Sequence, residues 1–216
     1  MSKNLVDICV NLTDEVFSGN EDSIIDEANQ KNITKMVLVG NDLKSSKKCQ
    51  ILAQKYNFFS TAGYHPHNAK EWDENSYTEL QKLIKFENVR AVGECGLDFN
   101  RNFSSPEIQH KVFAKHIDLA KETGLPLFVH ERDAFHQMHK ILSENVKDCK
   151  KVVVHCFTGT KNALEDYLTL EKITQNNLYD TSYLLNTGEV SVNEGQCINR
   201  KMNFWNIDIS QIITQP

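Results

Sequence analysis

Four residues in this chain have the donor atoms and the spacing to hold a divalent cation: His65, Glu94, His130 and His155. Each falls where a short apolar stretch gives way to a polar turn. His65 lies in Gly63-Tyr64-His65-Pro66-His67, and Glu94 in Gly93-Glu94-Cys95-Gly96-Leu97-Asp98. His130 precedes Glu131-Arg132-Asp133, and His155 closes Val152-Val153-Val154. Imidazole and carboxylate donors suit Zn2+, Mn2+ or a similar ion, and carboxylate and water ligands also admit Mg2+. An ion held this way lowers the pKa of a bound water and polarises a carbonyl or phosphoryl oxygen. A carboxylate is normally needed to orient or deprotonate that water. One histidine at a strand end is more often a hydrogen-bonded surface or core residue than a ligand. A carboxylate beside a buried strand, however, is costly unless it is paired or bound to a cation. Donors at four consecutive strand ends point to one shared metal site suited to hydrolysis.

Neighbouring polar residues are less decisive. His67 is an accessory candidate. His136 and His139 are expected on the exposed side of a helix, and His110 and His116 read as structural or solvated residues within a longer one. Arg132 has the planar fork to clamp a phosphate, and a salt bridge at a loop start is the equally weighted alternative. Lys44, Lys47 and Lys48 read as a solvated helix face.

The elements that must position these residues follow a repeated strand-then-helix rhythm. Apolar runs at 5–10, 36–39, 58–62, 89–92, 126–130 and 152–155 read as strands. Segments 23–29, 43–56, 77–86, 106–122, 135–142 and 162–170 carry helical periodicity. The helix from Pro106 has Ser104 or Ser105 to cap it and Gly124 just past its end. Short apolar strands separated by helices argue for a parallel sheet covered on both faces. An open doubly wound sheet and a (β/α)8 barrel both fit. In a barrel the strand C-termini share one mouth, which would gather donors spread from His65 to His155. After Leu170 the rhythm stops. Only Leu184-Leu185 and Phe204–Ile209 resemble strands there, which leaves the pattern two strands short of an eight-stranded barrel.

Length and composition bound the reading. The 216 residues suffice for one sizeable domain, with 40% hydrophobic and 25% charged residues. A net charge of −5 argues against gripping nucleic acid by bulk electrostatics, so any such work must rest on a local site. The six cysteines (Cys9, Cys49, Cys95, Cys149, Cys156 and Cys197) form no CxxC pair and read as reduced thiols. No apolar run is long enough to span a membrane, and the N-terminus makes a poor signal peptide. A cytoplasmic or nuclear location is the expectation.

Five motifs in order carry a family resemblance. They are Asp7-Ile8-Cys9-Val10-Asn11-Leu12-Thr13, Thr61 through His67, Gly93 through Phe99, Phe128 through Asp133, and Val154-His155-Cys156-Phe157-Thr158-Gly159. From about Asp7 to Leu170 the chain resembles the TatD family of metal-dependent deoxyribonucleases, in the amidohydrolase-like barrel group. The resemblance implies an α/β fold: a TIM-like (β/α) barrel, here incomplete, with about six βα units over residues 1–170. Residues 171–216, outside the resemblance, are expected to be a divergent tail and not an independent domain. It implies Glu94, His130 and His155 as metal ligands, with His65 close to the metal or the substrate phosphate and His65 or Arg132 holding phosphate oxygens. One or two divalent ions (Mg2+, Mn2+ or Zn2+), DNA as substrate and 3′-to-5′ hydrolysis of phosphodiesters follow from the same resemblance.

Two departures stand out. Many family members carry a His-x-His pair after the first strand, and the equivalent positions here are Cys9 and Asn11. The expectation is that this removes ligands to one metal and leaves Asp7 nearby. The family's late Glu-Thr-Asp-Ala-Pro segment is also missing, with Asp180 and Asp208 the available late carboxylates. The tail therefore reads as a truncated or altered C-terminus. A barrel hydrolase of another substrate, or a non-catalytic remnant, is the alternative to a nuclease.

Overall fold

A computed structural model describes residues 5–170 of the protein. The tail readings at Leu184-Leu185, Phe204–Ile209, Asp180 and Asp208 lie outside the described residues. Within them, six strands alternate with six α-helices. The strands are β1 (Leu5–Val10), β2 (Ile33–Leu38), β3 (Phe59–Ala62), β4 (Val89–Asp98), β5 (Leu127–Arg132) and β6 (Val152–Val154). All neighbours are parallel, and spatial order follows chain order. The helices are α1 (Glu21–Gln30), α2 (Leu43–Tyr56), α3 (Ser76–Leu83), α4 (Pro106–Thr123), α5 (Phe135–Asn145) and α6 (Lys161–Leu168).

Local sequence explains the helix limits. Asp42 accepts the Ser45 N–H in a reciprocal capping box at the start of α2. Ser105 accepts the Ile108 N–H at the start of α4, with Pro106 in the first turn, where its missing N–H costs nothing. Gly124 ends α4 in the left-handed conformation.

Strand alternation sorts the core into two layers. Val92, Cys95, Leu127, Val129, Val152 and Val154 face the helices and pack with Val112, Phe113, Ile117, Met138, Leu142 and Leu164. The opposite face holds a smaller cluster, Val39, Ala91, Phe128 and Val153, with Ile8 and Cys9 against it. Each fully buried large apolar side chain in the outer layer contributes about 2 kcal/mol through removal from water.

The sheet is strongly curled. In a flat six-stranded sheet β1 and β6 would lie about 24 Å apart at the usual strand spacing. Yet donor atoms of Cys9 near the end of β1 and of His155 just after β6 come within 4.8 Å of each other. Only a strongly curled sheet permits this, so of the two closures the sequence allows, the described strands follow the barrel, as an open part of one.

One element differs markedly from the sequence reading. β4 does not stop at Val92 but runs on to Asp98. Its glycines look like a break and act as close-approach points instead. Gly93 and Gly96 have φ of 141° and 135°. A Cβ at Gly93 would strike the Phe128 carbonyl oxygen, and one at Gly96 that of His130. Their bare backbones let β4 and β5 approach at the level where Glu94 and His130 sit. The Gly93–Glu94 peptide bond is cis. Glu94 and His130 accordingly lie within β4 and β5, while His155 follows β6 and donates its backbone N–H to Val129.

Candidate metal centre

Glu94 is the hub of the site. It is 4% exposed, and its Oε1 faces three imidazoles. His155 Nε2 lies at 2.6 Å, His130 Nδ1 at 3.1 Å and His65 Nε2 at 3.5 Å. The Glu94 backbone N–H donates to the Gly40 carbonyl at 3.0 Å, which fixes the strand at this point. Burial opposes a charged carboxylate here. The imidazoles of His155, His130 and His65 outweigh it and hold Glu94 well below the usual carboxylate range.

Each histidine has a distinct setting. His130 lies between two carboxylates, with Nδ1 toward Glu94 and Nε2 3.2 Å from Asp98 Oδ2. Burial disfavours its cation, but Asp98 and Glu94 together raise its pKa to about 9. His65 sits at the start of the 3₁₀ turn Pro66–Glu71, and its Nδ1 accepts the His67 N–H at 3.1 Å. Burial, reinforced by the neighbouring imidazoles, pushes its pKa down to about 3 despite Glu94. A neutral ring whose Nδ1 accepts carries its proton on Nε2, which faces Glu94 Oε1 as a donor. His155 stacks on Phe128 at 4.7 Å, and its buried Nδ1 lacks a hydrogen-bond partner among the described residues.

The geometry adds two residues that the sequence reading did not place in the site. Asp98 is 1% exposed, its Oδ2 2.7 Å from His67 Nε2 and shared with His130. Its Oδ1 accepts the N–H groups of Asn100 and Arg101. Burial opposes its charge, but His130, the Arg101 N–H and His67 hold the carboxylate well below its ordinary pKa. Cys9 is the second. One donor triad is His65, Glu94 and His130; another is Cys9, Glu94 and His155, the donor atoms of each lying within 4.8 Å of one another. Asp7, which the first-strand departure is expected to leave nearby, belongs to neither triad. Asp7 is exposed and its Oδ1 accepts the Cys9 N–H at 3.0 Å, while Asn11 accepts from the Asn41 amide at 3.1 Å.

The remaining candidates separate cleanly. Arg132 is half-buried, two residues beyond His130 on the same face of β5, and forms no salt bridge among the described residues. His67 joins the site through Asp98. His136 is exposed, as expected, but His139 is half-buried between Phe135 and Tyr167, because α6 packs over that side of α5. His110 pairs with Gln137 on the outside, and His116 is fully buried in α4. Lys47 pairs with Glu79, and Lys44 and Lys48 are exposed.

A buried carboxylate oxygen shared by three imidazoles is a donor set that fits a divalent cation. A curled parallel α/β sheet that gathers histidines and carboxylates at its strand C-termini is the architecture of metal-dependent barrel hydrolases. The chain belongs to the TatD-related DNase family, whose family model matches residues 6–175. A 3′-5′ ssDNA/RNA exonuclease TatD from Edwardsiella piscicida is 41% identical over 168 residues, covering 77% of this chain and 65% of the relative. The corresponding protein of Enterobacter lignolyticus is 39% identical over 165 residues, covering 76% and 64%. Among solved structures, a TatD-family hydrolase from Entamoeba histolytica superposes with a TM-score of 0.71 at 29% identity, covering 78% of this chain and 63% of that one. The chain thus spans a little under two thirds of the length of these relatives. No helix among the described residues is long and apolar enough to cross a membrane.

Proposed function

We propose that the protein is a metal-dependent exonuclease that removes nucleotides from the 3′ ends of single-stranded DNA, with Glu94, His130 and His155 as ligands of a divalent ion. The carrying observation is the single buried Glu94 oxygen that three imidazoles face at the barrel mouth. Names of relatives at about 40% identity support the substrate class. An ion such as Mg2+ or Mn2+, held there by Glu94, His130 and His155, would acidify a water and offset charge on the phosphoryl oxygens.

The chain's own residues do the rest. His65, held neutral with its proton on Nε2, donates to a phosphate oxygen without adding a charge that would repel the ion. Arg132 reaches from the next inward position of β5 to a second phosphate oxygen with its two parallel N–H groups. Asp98 holds the His67 and His130 rings in place, so that the donor set is formed before substrate arrives. Phe103, 54% exposed and edge-on to His67 at 4.8 Å, offers a face on which a terminal base stacks. Recognition is therefore local, consistent with a chain of net charge −5. The buried thiols Cys49, Cys95 and Cys149 fit a reducing compartment, and we place the activity in the cytoplasm.

The test uses a 5′-labelled single strand incubated with purified protein and Mg2+ or Mn2+, beside Glu94→Ala. A ladder shortening from the 3′ end, present only with metal and lost in the variant, is the expected result. No metal-dependent loss of terminal nucleotides refutes the reading, and equal activity in the variant refutes the site.

A further inference from the structure

We propose that Cys9 is a metal ligand: with Glu94 and His155 it forms a second, thiolate-containing cation position that prefers a thiophilic ion such as Zn2+. This rests on the reading above that Glu94 and His155 bind metal.

The geometry is specific. The donor atoms of Cys9, Glu94 and His155 lie within 4.8 Å of one another. Donors around a tetrahedral zinc sit roughly 3.5 Å apart, given zinc–sulfur and zinc–nitrogen bonds of about 2.3 and 2.0 Å. Seating an ion therefore asks Cys9 Sγ to approach by at most about an ångström, while the Glu94–His155 pair, at 2.6 Å, opens by about as much. His155, with a side chain 7% exposed, already holds its Nε2 2.6 Å from Glu94 Oε1 in this triad. Glu94 belongs to both triads, so one carboxylate can bridge two ions. Cys9 also packs beside Val39, Ala91, Phe128 and Val153. Small hydrophobic packing alone would explain that contact, but not a sulfur aligned with a buried carboxylate and an imidazole. The other thiols on the described core differ. Cys49, Cys95 and Cys149 are buried and belong to neither donor triad.

The two positions differ in chemistry. Glu94 and His130 offer only nitrogen and oxygen, which suit Mg2+ and Mn2+. A thiolate selects zinc and its heavier relatives, for which Mg2+ competes poorly. Binding forms a metal–sulfur bond and releases the thiol proton to solvent. The expected behaviour is one site with two ions of unlike hardness.

Cobalt titration of the chelator-stripped full chain decides the matter. Co2+ bound by thiolate gives a near-ultraviolet sulfur-to-cobalt charge-transfer band, while nitrogen and oxygen ligands give only the weak visible bands. The wild type is expected to show the band and Cys9→Ser to lack it while still binding Co2+. Cys156→Ser, altering the thiol next to His155, should retain it. Cd2+ affinity should fall roughly tenfold or more in Cys9→Ser, with Mg2+ affinity unchanged. Co2+ bound by the wild type without the band, or a band that survives Cys9→Ser, overturns the thiolate site and leaves the Glu94-centred metal reading standing. No Co2+ binding by the wild type overturns both.

Discussion

Protonating His116 is expected to loosen the strand end that carries His65. His116 lies fully buried in α4. Its Nδ1 is 2.8 Å from the Val112 carbonyl, to which it donates, and its Nε2 accepts the Tyr64 N–H at 2.9 Å. Both ring nitrogens are thus committed, and only the neutral ring satisfies both contacts. Burial lowers its pKa from 6.5 to about 4, against the opposing pull of the Val112 carbonyl. In the unfolded chain the ring titrates at its ordinary 6.5. The folded state therefore resists a proton that the unfolded state accepts. The contribution is fully present above pH 6.5 and is lost as pH falls toward 4. A shift of about 2.5 units corresponds to roughly 3 kcal/mol in full, and about 2 kcal/mol of it is lost by pH 5. His116→Gln keeps an oxygen to accept the Tyr64 N–H and cannot take up a proton. Urea denaturation followed by circular dichroism, in chelator, would compare both proteins at about pH 7.5 and pH 5. Carboxylates contribute equally to both, so the wild type should lose about 2 kcal/mol more than the variant over that range. Equal losses would refute the assignment of His116 as a neutral tether between α4 and the His65 turn.

Other outcomes follow from the same geometry. Gly96→Ala forces a side chain onto the His130 carbonyl at φ 135° and should cost about 3 kcal/mol of stability in urea; an unchanged midpoint would show that β4 and β5 can part without loss. Phe103→Ala should raise KM for single-stranded DNA about fivefold, equivalent to about 1 kcal/mol of stacking, and leave kcat unchanged. A fall in kcat alone would remove Phe103 from substrate binding. Arg132→Lys keeps the charge but loses the fork, so kcat/KM should fall about tenfold in steady-state assays; full activity in the lysine variant would mean that Arg132 serves only as a charge.

The six-strand rhythm was legible because each strand is a short apolar run bounded by polar turns, and each helix carries a 3.6-residue stripe. Residues at strand ends were legible for the same reason: a histidine or glutamate interrupting such a run is conspicuous. Asp98 was not, because Gly93 and Gly96 look like a loop. Counting in twos from Glu94 along a continued strand would have put Asp98 on the same face. Cys9 was noticed only as a lost ligand. A cysteine in an apolar strand looks like filler, and only the curl of the sheet brings β1 round to His155. His139 was misplaced because helical periodicity reports one apolar stripe and says nothing of α6 lying over its margin. The choice between barrel and open sheet depends on strand tilt and stagger, which hydrophobic pattern does not encode.

The bond between Glu94 and His155 has a mechanical side. β4 lies inside the ladder and β6 at its rim, with β5 between them, yet their side chains meet at 2.6 Å across the concave face. Glu94 is in this sense a tie-rod, working in tension perpendicular to the backbone ladder. An ion seated between the two would set its donors roughly 3.5 Å apart, lengthening the rod and letting the β6 rim ease outward. Loading and curvature then become one variable. Amide protection along β1 and β6, rather than in the well-buried β4, is where occupancy of the mouth would be felt first.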